Sequence, residues 1–335
     1  MPTLLERRYC RQHLHCVRHI TLDPKGRGVV RIHMMPPRDE ADNAPFLLLL
    51  NGSKLVPLNL SWAILLANFM DKLEPFSGLE ISESDWKSMA AGAVAETRRV
   101  YPFTPKQRLA DDLETMITSL VAIARGQEPE AEIAPLSLGE YAREMTAPHR
   151  MDLMISAMTR GGQWHCNQKC LHCYAAGQPL SDTAELTTAQ WKQALDTLRR
   201  IGVPQVTFTG GEPTLRDDLV ELVDAAQWFV TRLNTNGHAS LICHRDVTPE
   251  LQGRLDAVSV SLNASNAADY LAITRPGAGE VAWQAMLDFV RDAQNYVPKV
   301  MVSIVDYDKT PQEIEACRHL AESLGAIFRV RPFAG

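Results

Sequence analysis

The chain has 335 residues, with 34 Lys and Arg against 40 Asp and Glu, a formal net charge of −6. Hydrophobic residues make up 45% and charged residues 22%, the mix of an ordinary folded protein, which excludes a largely disordered or collagen-like chain. The acidic balance makes general nucleic-acid binding unexpected while leaving room for a local basic groove, and no apolar run, Phe46 to Leu50 included, approaches a membrane span or a secretory signal, so a cytoplasmic protein without a membrane partner is expected.

Taken in chain order, short strands are expected at 29–34, 46–50 and 54–57. The last two are joined by the turn Asn51-Gly52-Ser53. Helices follow at 60–69, 83–99 and 104–125. The stretch 126–135, rich in Glu, Ala and Pro, reads as a linker. These features define an N-terminal α+β domain over residues 1–135.

From about residue 150 the pattern changes to alternation. Strands are expected at 153–158, 205–209, 231–235, 257–262, 299–305 and 327–332. Apolar stripes at helical spacing lie between them: Trp191, Leu195, Leu198 and Ile201; Leu219, Leu222, Val223 and Ala226; Met286, Phe289, Val290 and Ala293; Ile314, Cys317, Leu320, Ala321 and Leu324. Six βα units in this length imply a parallel sheet, an α/β partial (β/α)6 barrel over 150–335, with a doubly wound sheet as the alternative. Either places reactive loops at the carboxyl ends of the strands.

The seven cysteines, an odd number without a secretory signal, argue against a disulfide framework. Cys166, Cys170 and Cys173 are spaced C-x3-C-x2-C in HCNQKCLHCYA, directly after the first expected strand of the second half. Three thiolates on one loop can wrap one inorganic centre. Zinc would draw a fourth ligand, with His165 or His172 at hand. An iron–sulfur cluster on three cysteines leaves one iron open. The spacing fits both. Cys10 and Cys16 lie among His13, His15 and His19, a weaker metal pattern, and Cys317 sits on an apolar helical stripe as a core residue.

The next expected strand runs into Gly210-Gly211-Glu212-Pro213-Thr214. Two glycines permit close backbone approach to a ligand, Glu212 can accept from an ammonium group, and Pro213 stiffens the turn. With CNQKCLHCYA followed by GGEP, the chain resembles the radical S-adenosylmethionine (radical SAM) family over roughly residues 151–335. The stretch from Ser259 onward, with VSLNAS, YVPKVMVSIVD and FRVRPF, resembles the radical SAM proteins associated with TatD-type nucleases. The run FLLLLNGSKLVPLN is loosely similar to winged-helix modules of the PqqD type.

The resemblance implies a [4Fe–4S] cluster on Cys166, Cys170 and Cys173, with SAM on the open iron and a 5′-deoxyadenosyl radical as the reactive species. It implies SAM contacts from Gly210, Gly211, Glu212 and Pro213. It places Tyr174 beside the adenine, Asn236 in a turn lining the site, Ser261 and Asn263 on the ribose, and Arg275 on the SAM carboxylate. A one-electron donor such as flavodoxin or ferredoxin is implied as a partner. The PqqD-type likeness implies a module that grips the leader of a precursor peptide at a strand edge. The substrate reading is thus a ribosomal peptide. A small metabolite, including aminocarboxypropyl or methyl transfer, is the alternative enzyme reading, and a non-catalytic iron–sulfur or zinc protein the alternative outside enzymes.

Overall fold

The computed structural model describes residues 2–22, 30–37, 45–52, 54–76, 81–124, 126–129, 137–144, 147–174 and 184–333. The chain divides into two units, Met1–His149 with Arg199–Pro204, and Arg150–Leu198 with Gln205–Gly335.

In the first unit, Thr3 and Glu6 form a capping box that opens α1 (Leu4–His13). Four antiparallel strands follow in sheet order: β1 (Arg18–Leu22), β2 (Val30–Met35), β3 (Phe46–Leu50) and β4 (Lys54–Leu58). Only β1 departs from expectation. Its RHITL sequence lies in a His-rich stretch that reads as a metal pattern, and pairing with β2 makes it a strand. Asn51 and Gly52 both take positive φ, 48° and 67°, the conformation that Asn-Gly favours at a hairpin turn. Helices α2 (Leu60–Leu73), α3 (Glu83–Val100) and α4 (Lys106–Ala124) occupy the expected segments. They cover Phe46, Leu48 and Leu50, while Leu47 and Leu49 are buried on the other face with Met35 and Leu55. That double burial is why β3 is apolar without alternation. Of the expected linker, residues 126–129 are described and 130–135 lie outside the described residues. A short helix, α5 (Leu138–Glu144), follows through a Ser137–Glu140 capping box that expectation passed over.

The second unit opens with β5 (Met151–Ser156) and two dipeptide strands, β6 (Thr159–Arg160) and β7 (Gln163–Trp164). Then come α6 (Thr188–Ile201), β8 (Gln205–Gly210), α7 (Leu219–Ala225), β9 (Val230–Thr235), α8 (Ala239–Ile242) and β10 (Ala257–Ser261). The remainder is α9 (Ala267–Thr274), α10 (Val281–Ala293), β11 (Val300–Asp306), α11 (Pro311–Ser323) and β12 (Ile327–Pro332). All six long strands expected from the sequence are present, parallel, in the order β12-β11-β10-β9-β8-β5. The order never reverses, so the sheet winds in one direction as a partial barrel and the doubly wound alternative is excluded.

One face of each strand meets the helices: Leu153, Phe208, Leu233, Val260 and Val302 pack with Leu195, Leu222, Met286 and Phe289. Ile201, counted in the α6 stripe, ends the helix off this core and is 52% exposed. Side chains alternate across a strand, so the barrel interior receives Asp152, Arg232, Asn234, Ser259, Ser303 and Arg329. Among the described residues no helix is long and apolar enough to cross a membrane.

Candidate active site

The cysteine loop does not follow β5 directly. The β6–β7 hairpin intervenes, turning through Gly161 and Gly162 at φ 56° and 68°. The loop backbone is then fastened to the segment that ends α9. Lys169 N donates to Thr274 O (3.0 Å), Leu171 N to Ile273 O (2.9 Å), and Gly277 N to Asn167 O (2.9 Å). Trp164 Nε1 donates to Gln168 O at 2.7 Å, and Cys173 N to Cys170 O at 3.2 Å.

A single cavity at the carboxyl end of the barrel gathers most residues expected at the site. Cys166, Cys170, Cys173 and Tyr174 line it from the loop; Gly210, Gly211 and Glu212 from the end of β8; Asn236, Ser261 and Asn263 from the ends of β9 and β10. Pro213 and Arg275 do not line it. Pro213 is buried at the first position of a 3-10 turn, Pro213–Leu215. Arg275 is exposed, a left-handed residue (φ 47°, ψ 58°) that closes α9. Its neighbours brace the cysteine loop, so its contribution is through backbone rather than guanidinium.

The glycines differ from expectation in their reason. A Cβ on Gly210, at φ 139°, would lie 2.1 Å from Ser156 O, and one on Gly211 would lie 2.6 Å from Ala157 O. Both glycines let β8 close against the backbone after β5, and that approach requires them before any ligand does. Gly211 N donates to Ser156 O at 2.8 Å.

Glu212 is 1% exposed. Its Oε1 accepts from Thr214 N (3.1 Å), Thr214 Oγ1 (2.7 Å) and Thr235 Oγ1 (2.7 Å), and its Oε2 from Asn236 N (2.7 Å). The carboxylate thus ties the turn after β8 to the turn after β9. Burial pushes its pKa above the usual carboxylate range, and these four donors oppose the shift. Three of them crowd Oε1, so Oε2 is the less committed oxygen.

Behind the loop lies a polar network that the sequence reading missed. Asn167 Oδ1 accepts from Asn236 Nδ2 at 2.6 Å, and Asn167 Nδ2 meets His238 Nδ1 at 3.3 Å. His238 Nε2 lies 3.0 Å from Tyr270 Oη, which accepts from Gln168 Nε2 at 2.8 Å. Burial lowers His238 to about 4, leaving it neutral at pH 7. Tyr270 and His238 belong to no local motif, and only tertiary contact reveals their connection. His172, weighed only as a zinc ligand, lines the cavity with its ring 6.3 Å from that of Tyr307. Arg331, in the FRVRPF stretch, lines it as well. Its signal was readable: arginines at alternate positions within a barrel strand mark a polar interior face.

A polyatomic cluster with a bound small molecule fits these residues. Burial pushes the Cys166 and Cys170 thiols up to about 12, with further contributions from neighbouring thiols, so thiolates need a cationic centre here. The three thiols share one cavity and so form a ligand set for one inorganic centre, and a cluster on three cysteines leaves one iron open for a small molecule. The Oδ1 of Asn263 is buried without a hydrogen-bond partner among the described residues, an acceptor waiting for a donor from a ligand. Cys317 is in the core, 1% exposed.

Fold and site together define a partial-barrel enzyme core built around three thiols and a strand-end turn. Residues 165–321 match the Radical SAM superfamily, so the chain carries a domain of that superfamily. It is 32% identical over 172 residues to the mycofactocin maturase MftC of Mycobacterium tuberculosis (strain ATCC 25618 / H37Rv), covering 49% of this chain and 41% of that protein. It is 30% identical over 139 residues to a probable GTP 3′,8-cyclase of Thermococcus kodakarensis, covering 42% and 44%. The chain thus spans less than half the length of these relatives. Among solved structures, Streptococcus suis SuiB bound to S-adenosylmethionine superposes with a TM-score of 0.50 at 15% identity, over 87% of this chain and 60% of SuiB. SuiB bound to the precursor peptide SuiA gives 0.50 at 13% identity with the same coverage. At these identities the likeness is one of fold.

Proposed function

We propose that this chain reductively cleaves S-adenosylmethionine at a [4Fe–4S] cluster held by Cys166, Cys170 and Cys173 and directs the resulting radical at a ribosomal peptide. The observation that carries the reading is the meeting of three thiols, the Glu212 turn and the unpartnered Asn263 acceptor in one cavity. When bound, the cofactors supply one-electron cleavage of a C–S bond and a carbon radical that takes hydrogen from an unactivated C–H bond. The chain's residues orient and enclose. Glu212 Oε2 would accept from the methionyl ammonium, Ser261 and Asn263 would hold the ribose hydroxyls, and the rings of His172 and Tyr174 would flank the adenine. The electron comes from a small donor such as flavodoxin or ferredoxin.

The peptide part rests on the first unit and on the relatives. A four-stranded antiparallel sheet with three following helices offers its outer strands, β1 and β4, to a leader peptide that adds by strand pairing. SuiB was solved with its precursor peptide, and MftC is named a maturase. Separate domains at 1–135 and 150–335 fit a division of leader binding from chemistry. The test is anaerobic. Reduced, reconstituted chain is incubated with SAM and products are identified by mass; 5′-deoxyadenosine and methionine are expected, and a mass change appears in a leader-bearing peptide. A chain with full iron that leaves SAM intact refutes the radical reading. Unaltered candidate peptides, with SAM cleaved and a small metabolite modified, refute the peptide reading.

A further inference from the structure

The barrel interior below the cysteine loop is cationic in a chain of net charge −6. On β12, Phe328 packs against the helix-side core, with the Arg318 guanidinium 5.0 Å from its ring centre. Alternation therefore turns Arg329 and Arg331 to the interior face of this edge strand, Arg331 half-buried and Arg329 exposed. On β9, Leu233 is in the core and Arg232 turns inward, its Nε donating to Asn234 Oδ1 at 3.0 Å. These arginines feel one another. Arg232 is lowered to about 10 by burial and then by the charges of Arg329, Arg150 and Arg331. The carboxylate facing them is Asp152, and it is engaged by Arg150 at 3.0 Å. Arg331 also faces Cys170, and its Nε is buried without a hydrogen-bond partner among the described residues. Neither the Arg329 nor the Arg331 guanidinium makes a hydrogen bond or ion pair among the described residues. Like charges held together in a half-enclosed space repel, and a planar guanidinium fork matches an oxyanion bidentately.

We propose that the interior of the barrel, between Arg232, Arg329 and Arg331, receives a carboxylate of the substrate and so sets which part of it meets the cavity above. Such an anion relieves the mutual repulsion of the three guanidinium groups. It also anchors the substrate from below, where SAM and the cysteine loop cover it from above. The inference rests on the enzyme reading of the cavity, and its substrate class is a carboxylate on either a peptide or a free small acid.

The experiment uses the full chain with its cluster reconstituted. Binding of three probes is measured by calorimetry in the presence of SAM: glutarate, an end-capped tetraglutamate peptide, and the neutral analogue glutaramide. Glutarate or the peptide is expected to bind at least about tenfold more tightly than glutaramide, since a hydrogen bond to a charged group contributes about 1.5–3 kcal/mol. The affinity should fall with rising salt. Preference for the peptide assigns the carboxylate to a peptide side chain, and preference for glutarate to a small acid. Arg329→Gln should lower that affinity about tenfold and Arg329→Lys should restore part of it. Because Arg329 lies outside the cavity lining, uncoupled SAM cleavage should persist in both variants. Equal affinity for glutarate, the peptide and glutaramide overturns the proposal, as does unchanged binding in Arg329→Gln. Absence of SAM cleavage in the unmodified chain counts against the enzyme reading instead, whatever the probes do.

Discussion

Replacing Glu212 by Ala separates two roles that a carboxylate at this turn can have. The side chain is 1% exposed and takes four hydrogen bonds. The hydroxyls of Thr214 and Thr235 can rotate to other acceptors. The N–H groups of Thr214 and Asn236 cannot. An orphaned buried donor costs about 1–3 kcal/mol, so the loss of two costs about 2–6 kcal/mol. For a unit of this size that lowers the melting temperature by at least about 4 °C. Glu212→Gln keeps a carbonyl for Thr214 and Thr235 and opposes only the Asn236 N–H, so it should lie between wild type and Ala. Thermal unfolding followed by circular dichroism reads both. An Ala variant that melts within about 1 °C of wild type refutes the bracing argument. SAM affinity is a second readout, expected to fall about tenfold or more with the loss of a charge-assisted partner. The pH dependence has a fixed sign. Burial holds the carboxyl above its usual range, and a bound ammonium favours the ionised form, so binding releases a proton. Wild-type affinity should therefore climb as the pH rises through the raised pKa of the free carboxyl, and Glu212→Gln should flatten that rise.

Cys170→Ala should abolish iron retention after reconstitution, whereas Cys317→Ala should keep the iron and lose only core stability, as metal analysis and unfolding will show. Gly210→Ala forces a Cβ to 2.1 Å from Ser156 O at a φ of 139°, and should destabilise the barrel by about 3 kcal/mol or more in denaturant unfolding. Tyr270→Phe removes the hydroxyl shared by Gln168 and His238, and should lower stability by about 1–3 kcal/mol. A Tyr270→Phe chain as stable as wild type would remove the network from the account.

The elements were legible where periodicity was strong. Most of the six barrel strands are short, apolar or β-branched and followed by a turn signal, and all but the edge strand β12 are buried on their helix side. β1 was hidden because its His and Arg residues read as chemistry rather than as a strand. α5 was hidden by its length, although Ser137 and Glu140 announced its cap. At the site, contiguous motifs were legible and assembled ones were not. The cysteines and the glycine turn are local words in the sequence. His238, Tyr270 and Gln168 meet across as many as 102 residues, and the arginines of β9 and β12 come together only when the sheet curves. Arg275 shows the converse: a motif residue that points away while its neighbours do the holding.

The fastening of the cysteine loop to residues 273–277 bears on assembly. Three backbone hydrogen bonds hold the loop to a helix end about a hundred positions downstream. The loop's ordering entropy is thus met by polypeptide contacts, before any iron arrives. The apoprotein should accordingly keep its fold when the metal is stripped, unlike a zinc finger, whose unfolded apo state waits for its ion. Stripping and refilling then become a reversible exchange on a finished scaffold. Maturation would then require delivery of a cluster but no refolding of the chain.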